Sequence, residues 1–168
     1  MANLPYNITS RFLKIFLTNS FPPQSLVLML QKEVVERILA KPGKMSLLSA
    51  SVQFYAEPEL ITKVPSKDFY PSPKVESAVI KIVLRKENLG QQKFGSEFKE
   101  KLFWQLLKFG FSAKRKMLKK NLSAGYRIPI KIIEESFEKS GISNQARAQD
   151  LSLENWLNLF GYILKNVL

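Results

Sequence analysis

The octapeptide Ser77–Leu84, SAVIKIVL, is the strongest local constraint on this chain. Its density of β-branched residues suits a pleated, largely buried surface and predicts a strand. Upstream of it, short β-rich runs alternate with helical periodicities. Downstream, no further run of this kind occurs, so any sheet is confined to the first half.

The upstream elements follow from spacing and breakers. Ile8, Phe12, Leu13, Phe16 and Leu17 recur at helical intervals over Ile8 to Thr18, and Pro22 and Pro23 end that pattern. Ser25 to Leu30 is almost wholly apolar, the pattern of a strand buried on both faces of a parallel sheet. Gln31 to Ala40 reads as a helix, with Glu33 and Arg37 one turn apart and Pro42-Gly43 as the stop. A second helix is expected over Leu47 to Ala56, ended before Pro58, and a strand over Leu60 to Val64. Pro65 to Val75 is a proline-punctuated loop leading into the Ser77 strand.

Polar residues and two glycines make Glu87 to Gly95 a linker candidate. Beyond it the pattern is helical. Phe98, Leu102, Leu106 and Phe109 form one apolar stripe, and Ser112 to Leu122 is short and basic. Pro129 is placed to open a helix that closes near Gly141. Ser152 is placed to cap a last helix with the stripe Leu153, Trp156, Leu157, Phe160 and Leu164. The expected organisation is an α/β domain over residues 1–90 and an all-helical domain over 91–168.

Composition narrows the chemistry. The chain has no Cys and no His. Disulfide frameworks, thiolate nucleophiles, imidazole bases and the usual zinc sites are therefore excluded, and no metal site is expected. The longest purely apolar run, Leu26 to Leu30, falls far short of the roughly 20 residues of a bilayer helix. No secretory signal is evident, so a cytoplasmic location is the default expectation. The formal net charge of +12 points to a polyanionic partner such as nucleic acid.

Two segments carry the charge and the chemistry. Between Lys101 and Ile133 there are nine Lys or Arg residues and no acidic one. Arg115, Lys116, Lys119 and Lys120 fall one helical turn apart, a cationic strip suited to phosphates. Near the N-terminus stands Asn3-Leu4-Pro5-Tyr6. Methylating an exocyclic adenine amine requires hydrogen-bond acceptors that hold the amino hydrogens and turn the nitrogen lone pair toward the methyl donor. An Asn side-chain carbonyl and the next backbone carbonyl supply two. Pro fixes the turn that aims them, and an aromatic ring stacks on the extruded base. The same tetrapeptide also fits a plain turn that caps a helix.

Four blocks in order resemble the ribosomal RNA adenine dimethyltransferase family: NLPYNIT, VPSKDFYPSPKVESAV (Val64 to Val79), FSAKRKMLKKNL (Phe111 to Leu122) and RAQDLSLENWLNL (Arg147 to Leu159). The resemblance implies the C-terminal part of a Rossmann-like S-adenosylmethionine-dependent methyltransferase sheet, followed by a small helical RNA-binding domain. It implies that Asn3 and the Leu4 carbonyl accept hydrogen bonds from N6, that Pro5 shapes the turn, and that Tyr6 and Phe69 sandwich the adenine. Pro71, Pro73, Lys74 and Val75 become scaffold for the loop presenting Phe69. Lys114, Arg115, Lys116, Lys119, Lys120 and Arg147 become RNA contacts. The implied substrate is small-subunit ribosomal RNA or a pre-ribosomal small subunit. The seven glycines never form G-x-G-x-G or G-x-G-x-x-G. Apart from Asn3, the cofactor-binding residues are therefore expected upstream of this sequence, which would make the chain inactive alone. The alternative is a non-catalytic RNA-binding assembly module. A DNA adenine methylase, with Pro usual at the position of Leu4, fits the helical tail less well.

Overall fold

The computed structural model describes residues 2–3, 9–19 and 21–166, with the backbone alone at 2, 3, 10 and 97. They form two compact units, one of residues 1–40 and 48–89, the other of 41–47 and 90–168. The segment 41–47 falls with residues 90–168 rather than with the residues that flank it. Gln149 explains it, because its carbonyl accepts from the Gly43 and Met45 amides at 2.8 and 3.1 Å.

The first unit is built on a four-stranded sheet in the order β1-β2-β4-β3, comprising β1 (Ala2–Asn3), β2 (Ser25–Gln31), β3 (Ala56–Val64) and β4 (Ser77–Leu84). β1 runs parallel to β2, with Asn3 opposite Met29. β2 and β4 are antiparallel from Ser25↔Val83 to Gln31↔Ser77. The expectation of a wholly parallel environment for β2 is therefore corrected. The chain returns from β3 to β4 through a loop rather than a crossover helix, and a direct return makes the strands antiparallel. β3 starts as α3 ends and includes Pro58. It lies at the sheet edge, where a missing N–H is tolerated. A bulge between Leu60 and Thr62 leaves Ile61 about half exposed.

Paired residues of antiparallel strands share a face, and here one face is the core. Leu28, Leu30, Ala78, Ile80 and Ile82 are buried there with Leu13 and Leu17 of α1 (Thr9–Leu17), Val35 and Ile38 of α2 (Lys32–Ile38) and Val52 of α3 (Leu47–Tyr55). On the opposite face Val27, Met29, Val79 and Lys81 are half-buried and Val83 is exposed. The Gln53 amide donates to the Ile38 and Ala40 carbonyls at 2.7 and 2.9 Å, satisfying acceptors where α2 ends. Where β2 meets α2, the Lys32 amide donates to the Glu76 carbonyl at 3.0 Å, and the Lys32 Nζ lies 2.6 Å from Glu76 Oε2. This pairing extends the β2–β4 ladder one step into the β3–β4 loop.

The second unit contains α4 (Leu89–Phe94), α5 (Glu100–Gly110), α6 (Leu118–Tyr126), α7 (Ile130–Lys139) and α8 (Leu153–Asn166). The expected linker is partly helix. Gly90 sits so close under the Phe98 ring that a Cβ would come within 2.2 Å of it, so the glycine is there for packing rather than for flexibility. Phe94 stacks on Phe98 and meets Phe160 edge-on, both at 5.9 Å. The α5 stripe is also corrected: the buried residues are Phe103, Leu106, Leu107 and Gly110, while Leu102 and Phe109 are half-buried. Ser152 caps α8 as expected, its Oγ accepting from the Asn155 amide at 3.1 Å. Gly141, at φ 67°, closes α7, with the Ile142 amide on the Phe137 carbonyl at 2.9 Å.

Two outcomes follow. A Cβ at Gly110 would lie 2.3 Å from the Trp156 ring and 2.9 Å from Leu118, both fully buried. Gly110→Ala should therefore destabilise the helical unit by about 1–3 kcal/mol, read from a denaturant midpoint that falls at constant slope. In the first unit, the Lys32 hydrogen bond and charge hold the Glu76 carboxyl below its ordinary value. The stability that this pair contributes is thus present above the ordinary carboxylate range and lost as pH falls through the lowered value. A carbon-detected NMR titration should place the Glu76 midpoint below that of an exposed glutamate, and Lys32→Gln should return it to the ordinary value.

Candidate functional site

The strand register sets the geometry of the candidate active edge. β1 ends at Asn3, opposite Met29, and β2 ends two residues later at Gln31. Gln31 pairs with Ser77, the first residue of β4, which pairs with Val64, the last of β3. The C-terminal ends of β1, β2 and β3 and the start of β4 therefore lie along one edge of the sheet. At a strand spacing near 4.8 Å, Asn3 and Val64 are on the order of 14 Å apart across that edge. The loop from Pro65 to Glu76 springs from the same edge and is long enough to lean across it.

That loop is internally ordered. Pro65 leads into a single 3-10 turn, Ser66–Asp68, with the Asp68 amide on the Pro65 carbonyl at 3.1 Å and the Phe69 amide on the Ser66 carbonyl at 3.2 Å. Ser72 Oγ donates back to the Ser66 carbonyl at 2.8 Å. The Tyr70–Pro71 bond is cis. Phe69 is half-buried, Pro73 is half-buried, and Pro71, Lys74 and Val75 are exposed. Tyr70 is fully exposed, a second aromatic on this loop to which the sequence reading gave no role. Of the tetrapeptide expected to hold the base, only the Asn3 backbone is described, as the end of β1. The Asn3 side chain and Leu4, Pro5 and Tyr6 lie outside the described residues.

The basic segment differs from its expected form. Lys114, Arg115 and Lys116 do not continue α6. They occupy a turn, and α6 begins only at Leu118. Lys114, Arg115, Lys116 and Lys120 are exposed. Lys119 is turned inward: its Nζ lies 2.6 Å from Glu134 Oε1 on α7, and its side chain is 17% exposed. The expected one-helix strip of four cations is therefore a turn of three with Lys120 beyond it, and Lys119 is committed to an ion pair.

Asn121 builds that turn. Buried on α6, it donates through Nδ2 to the Gly110 and Ala113 carbonyls at 2.7 and 3.1 Å, while the Leu118 amide is held by the Ala146 carbonyl at 2.8 Å. Asn121 falls inside the block Phe111 to Leu122, where its residue type alone marks no task. A buried Asn among apolar positions is the signal that could have found it, since such an amide must be satisfied. Arg147 is exposed just before a short 3-10 turn, Ala148–Asp150, its amide donating to Asp150 Oδ2 at 2.8 Å. Among the described residues no group of acidic side chains could hold a metal ion, and no helix is long and apolar enough to cross a membrane.

Comparison with known proteins places these features in a family. The family model described as ribosomal RNA adenine dimethylase matches residues 1–165. A protein of Dehalococcoides mccartyi named ribosomal RNA small subunit methyltransferase A is 41% identical over 159 residues, covering 95% of this chain and 53% of that protein. The Nostoc punctiforme protein of the same name is 40% identical over 166 residues, covering 95% and 55%. The chain spans about half the length of these curated relatives. Among solved structures, a dimethyladenosine transferase from Plasmodium falciparum matches with a TM-score of 0.78 at 25% identity, covering 98% of this chain and 66% of that one. An α/β sheet with its loops at one strand edge, a helical unit with a cationic turn and a match over nearly the whole length converge on one conclusion: the chain belongs to the ribosomal RNA adenine dimethylase family.

Proposed function

We propose that this chain is the acceptor-handling and RNA-binding part of an S-adenosylmethionine-dependent enzyme that dimethylates N6 of adenines in small-subunit ribosomal RNA. The observation that carries the reading is the register, which brings Asn3 and the Phe69 loop to a single edge of the sheet. Ligands of α/β sheets bind beyond the carboxyl ends of strands. The names of the relatives support the choice of small-subunit RNA.

On this reading an adenine leaves its stack and enters the space beyond Asn3. The Asn3 side-chain carbonyl and the Leu4 carbonyl accept from the two N6 hydrogens, Pro5 keeps the turn rigid, and Tyr6 and Phe69 cover the two faces of the base. With its hydrogens held, N6 presents its lone pair away from the acceptors, so the chain contributes position and electrostatics. Lys32 and Glu76 tether the C-terminal end of the Phe69 loop. The turn Lys114 to Lys116, with Lys120 and Arg147, contacts RNA phosphates; such contacts set affinity and orientation rather than base choice.

The described residues do not fit around the methyl-donor cofactor. The glycines of positive φ among them, Gly43, Gly95 and Gly141, all lie in loops of the helical unit rather than at the end of a strand. The chemistry assigned to this chain is accordingly that of the acceptor side, and this observation favours a second reading, a non-catalytic RNA-binding assembly module.

Calorimetry tests the acceptor-side assignment: S-adenosylmethionine titrated into the 168-residue chain should give no saturable heat, and tight binding would show that the chain carries its own cofactor site. In a protein joining this segment to the additional length that its relatives have, Asn3→Ala should abolish methyl transfer while RNA affinity stays within about twofold, a difference of roughly 0.4 kcal/mol. Unchanged turnover would sink the catalytic assignment.

A further inference from the structure

The helical unit holds a concavity of about 370 Å3 that includes no residue of the cationic turn. Three lysines from three elements border it: Lys93 of α4, Lys139 of α7 and Lys165 of α8. Each lies in the last turn of its helix, where a cation offsets the dipole. Dipole complementation does not exhaust the charge. Three helix ends present about −1.5 elementary charges in sum, and three ammonium groups leave a surplus of about +1.5.

Among the described residues, no carboxylate is paired with any of the three lysines. Among the described residues that line the concavity there is no carboxylate, and Glu76, Glu57 and Glu134 pair with Lys32, Arg85 and Lys119 instead. Lys93 Nζ donates to Asn158 Oδ1, a neutral acceptor, which leaves both Asn158 Nδ2 donors for a ligand. Ser140 Oγ, also on the lining, is enclosed and has no hydrogen-bond partner among the described residues. The remaining wall is aromatic and apolar, formed by Phe94, Tyr162 and Leu157, with Gly161 admitting the Phe94 ring to 3.2 Å of where a Cβ would stand. A site for a bare anion has no use for such a wall, and the volume lies within the range of small-molecule sites.

We propose that this concavity binds one nucleotide of a single-stranded RNA segment, with its phosphate among Lys93, Lys139 and Lys165 and its base against Phe94 and Tyr162. The inference rests on the RNA-binding reading of this unit and adds a second anchor to the cationic turn. Among the described lining residues Asn158 is the one side-chain amide available to a base edge, so the site tolerates different bases. Stacking and phosphate contact carry the affinity.

The test uses the 168-residue chain and a dye-labelled single-stranded oligoribonucleotide containing 4-thiouridine. Photocrosslinks should map to the peptides holding Phe94 or Tyr162. The variant K93Q/K139Q/K165Q changes only exposed positions. It should lose those crosslinks and flatten the slope of log affinity against log salt by about 0.7 for each phosphate contact removed. The variant R115A/K116A should flatten the slope while keeping the Phe94 and Tyr162 crosslinks. If the wild-type chain binds RNA, but the triple variant keeps the full slope and crosslinks fall only within 111–120, the concavity is overturned and the cationic turn stands alone. If the wild-type chain shows no salt-dependent RNA binding, the RNA-binding reading falls and this proposal with it.

Discussion

The antiparallel pairing of β2 with β4 is the constraint on which the first unit depends. Seven residues of each strand are in register, from Ser25↔Val83 to Gln31↔Ser77. A shift of one residue would rotate Leu28, Leu30, Ala78, Ile80 and Ile82 out of the core, so burial itself fixes the register. The same register determines which strand ends share an edge, the geometry on which the proposed function rests. The end of β1 at Asn3 and the start of the Phe69 loop share that edge as a consequence of how the core packs. The Lys32–Glu76 contact extends the ladder into the loop, and its backbone half does not depend on charge.

In the helical unit the corresponding constraint is close approach. Gly90, Gly110 and Gly125 lie against the rings of Phe98, Trp156 and Phe109, where any side chain would collide with an aromatic neighbour. These contacts join α5 to α6 and α8 and seat α4 on Phe98, around a core that holds Phe103, Phe137, Phe160 and Trp156. Asn121 adds a polar lock inside it, and that lock shapes the cationic turn. Packing, satisfied hydrogen bonds and the display of charge are thus coupled: the carbonyls that Asn121 caps belong to the residues that introduce Lys114 to Lys116.

Charge is distributed by tertiary contact rather than by spacing. Lys119 and Lys120 are adjacent, yet Glu134 holds one and solvent holds the other. The acid-free stretch through Ile133 ends one residue before the carboxylate that claims Lys119. Lys93, Lys139 and Lys165, far apart in sequence and each suited to the end of its own helix, border one concavity.

Much of this was legible in the residues alone. The β-branched density of Ser77 to Leu84 marked β4 to the residue, and the change of pattern past it separated a sheet unit from a helical one. Ser152 announced the cap of α8, and the lack of Cys and His excluded whole classes of chemistry. Those features are local: propensity, capping and composition act within a few residues. The tertiary structure decided the antiparallel return of β4, the capture of 41–47 by Gln149, the ion pair of Lys119 with Glu134 and the placing of the β1 end and the Phe69 loop at one edge. Each depends on partners from other elements of the chain, 15 residues away for Lys119 and far more for Gly43 and Met45, and local spacing carries no information about which distant carbonyl or carboxylate a folded chain will bring alongside.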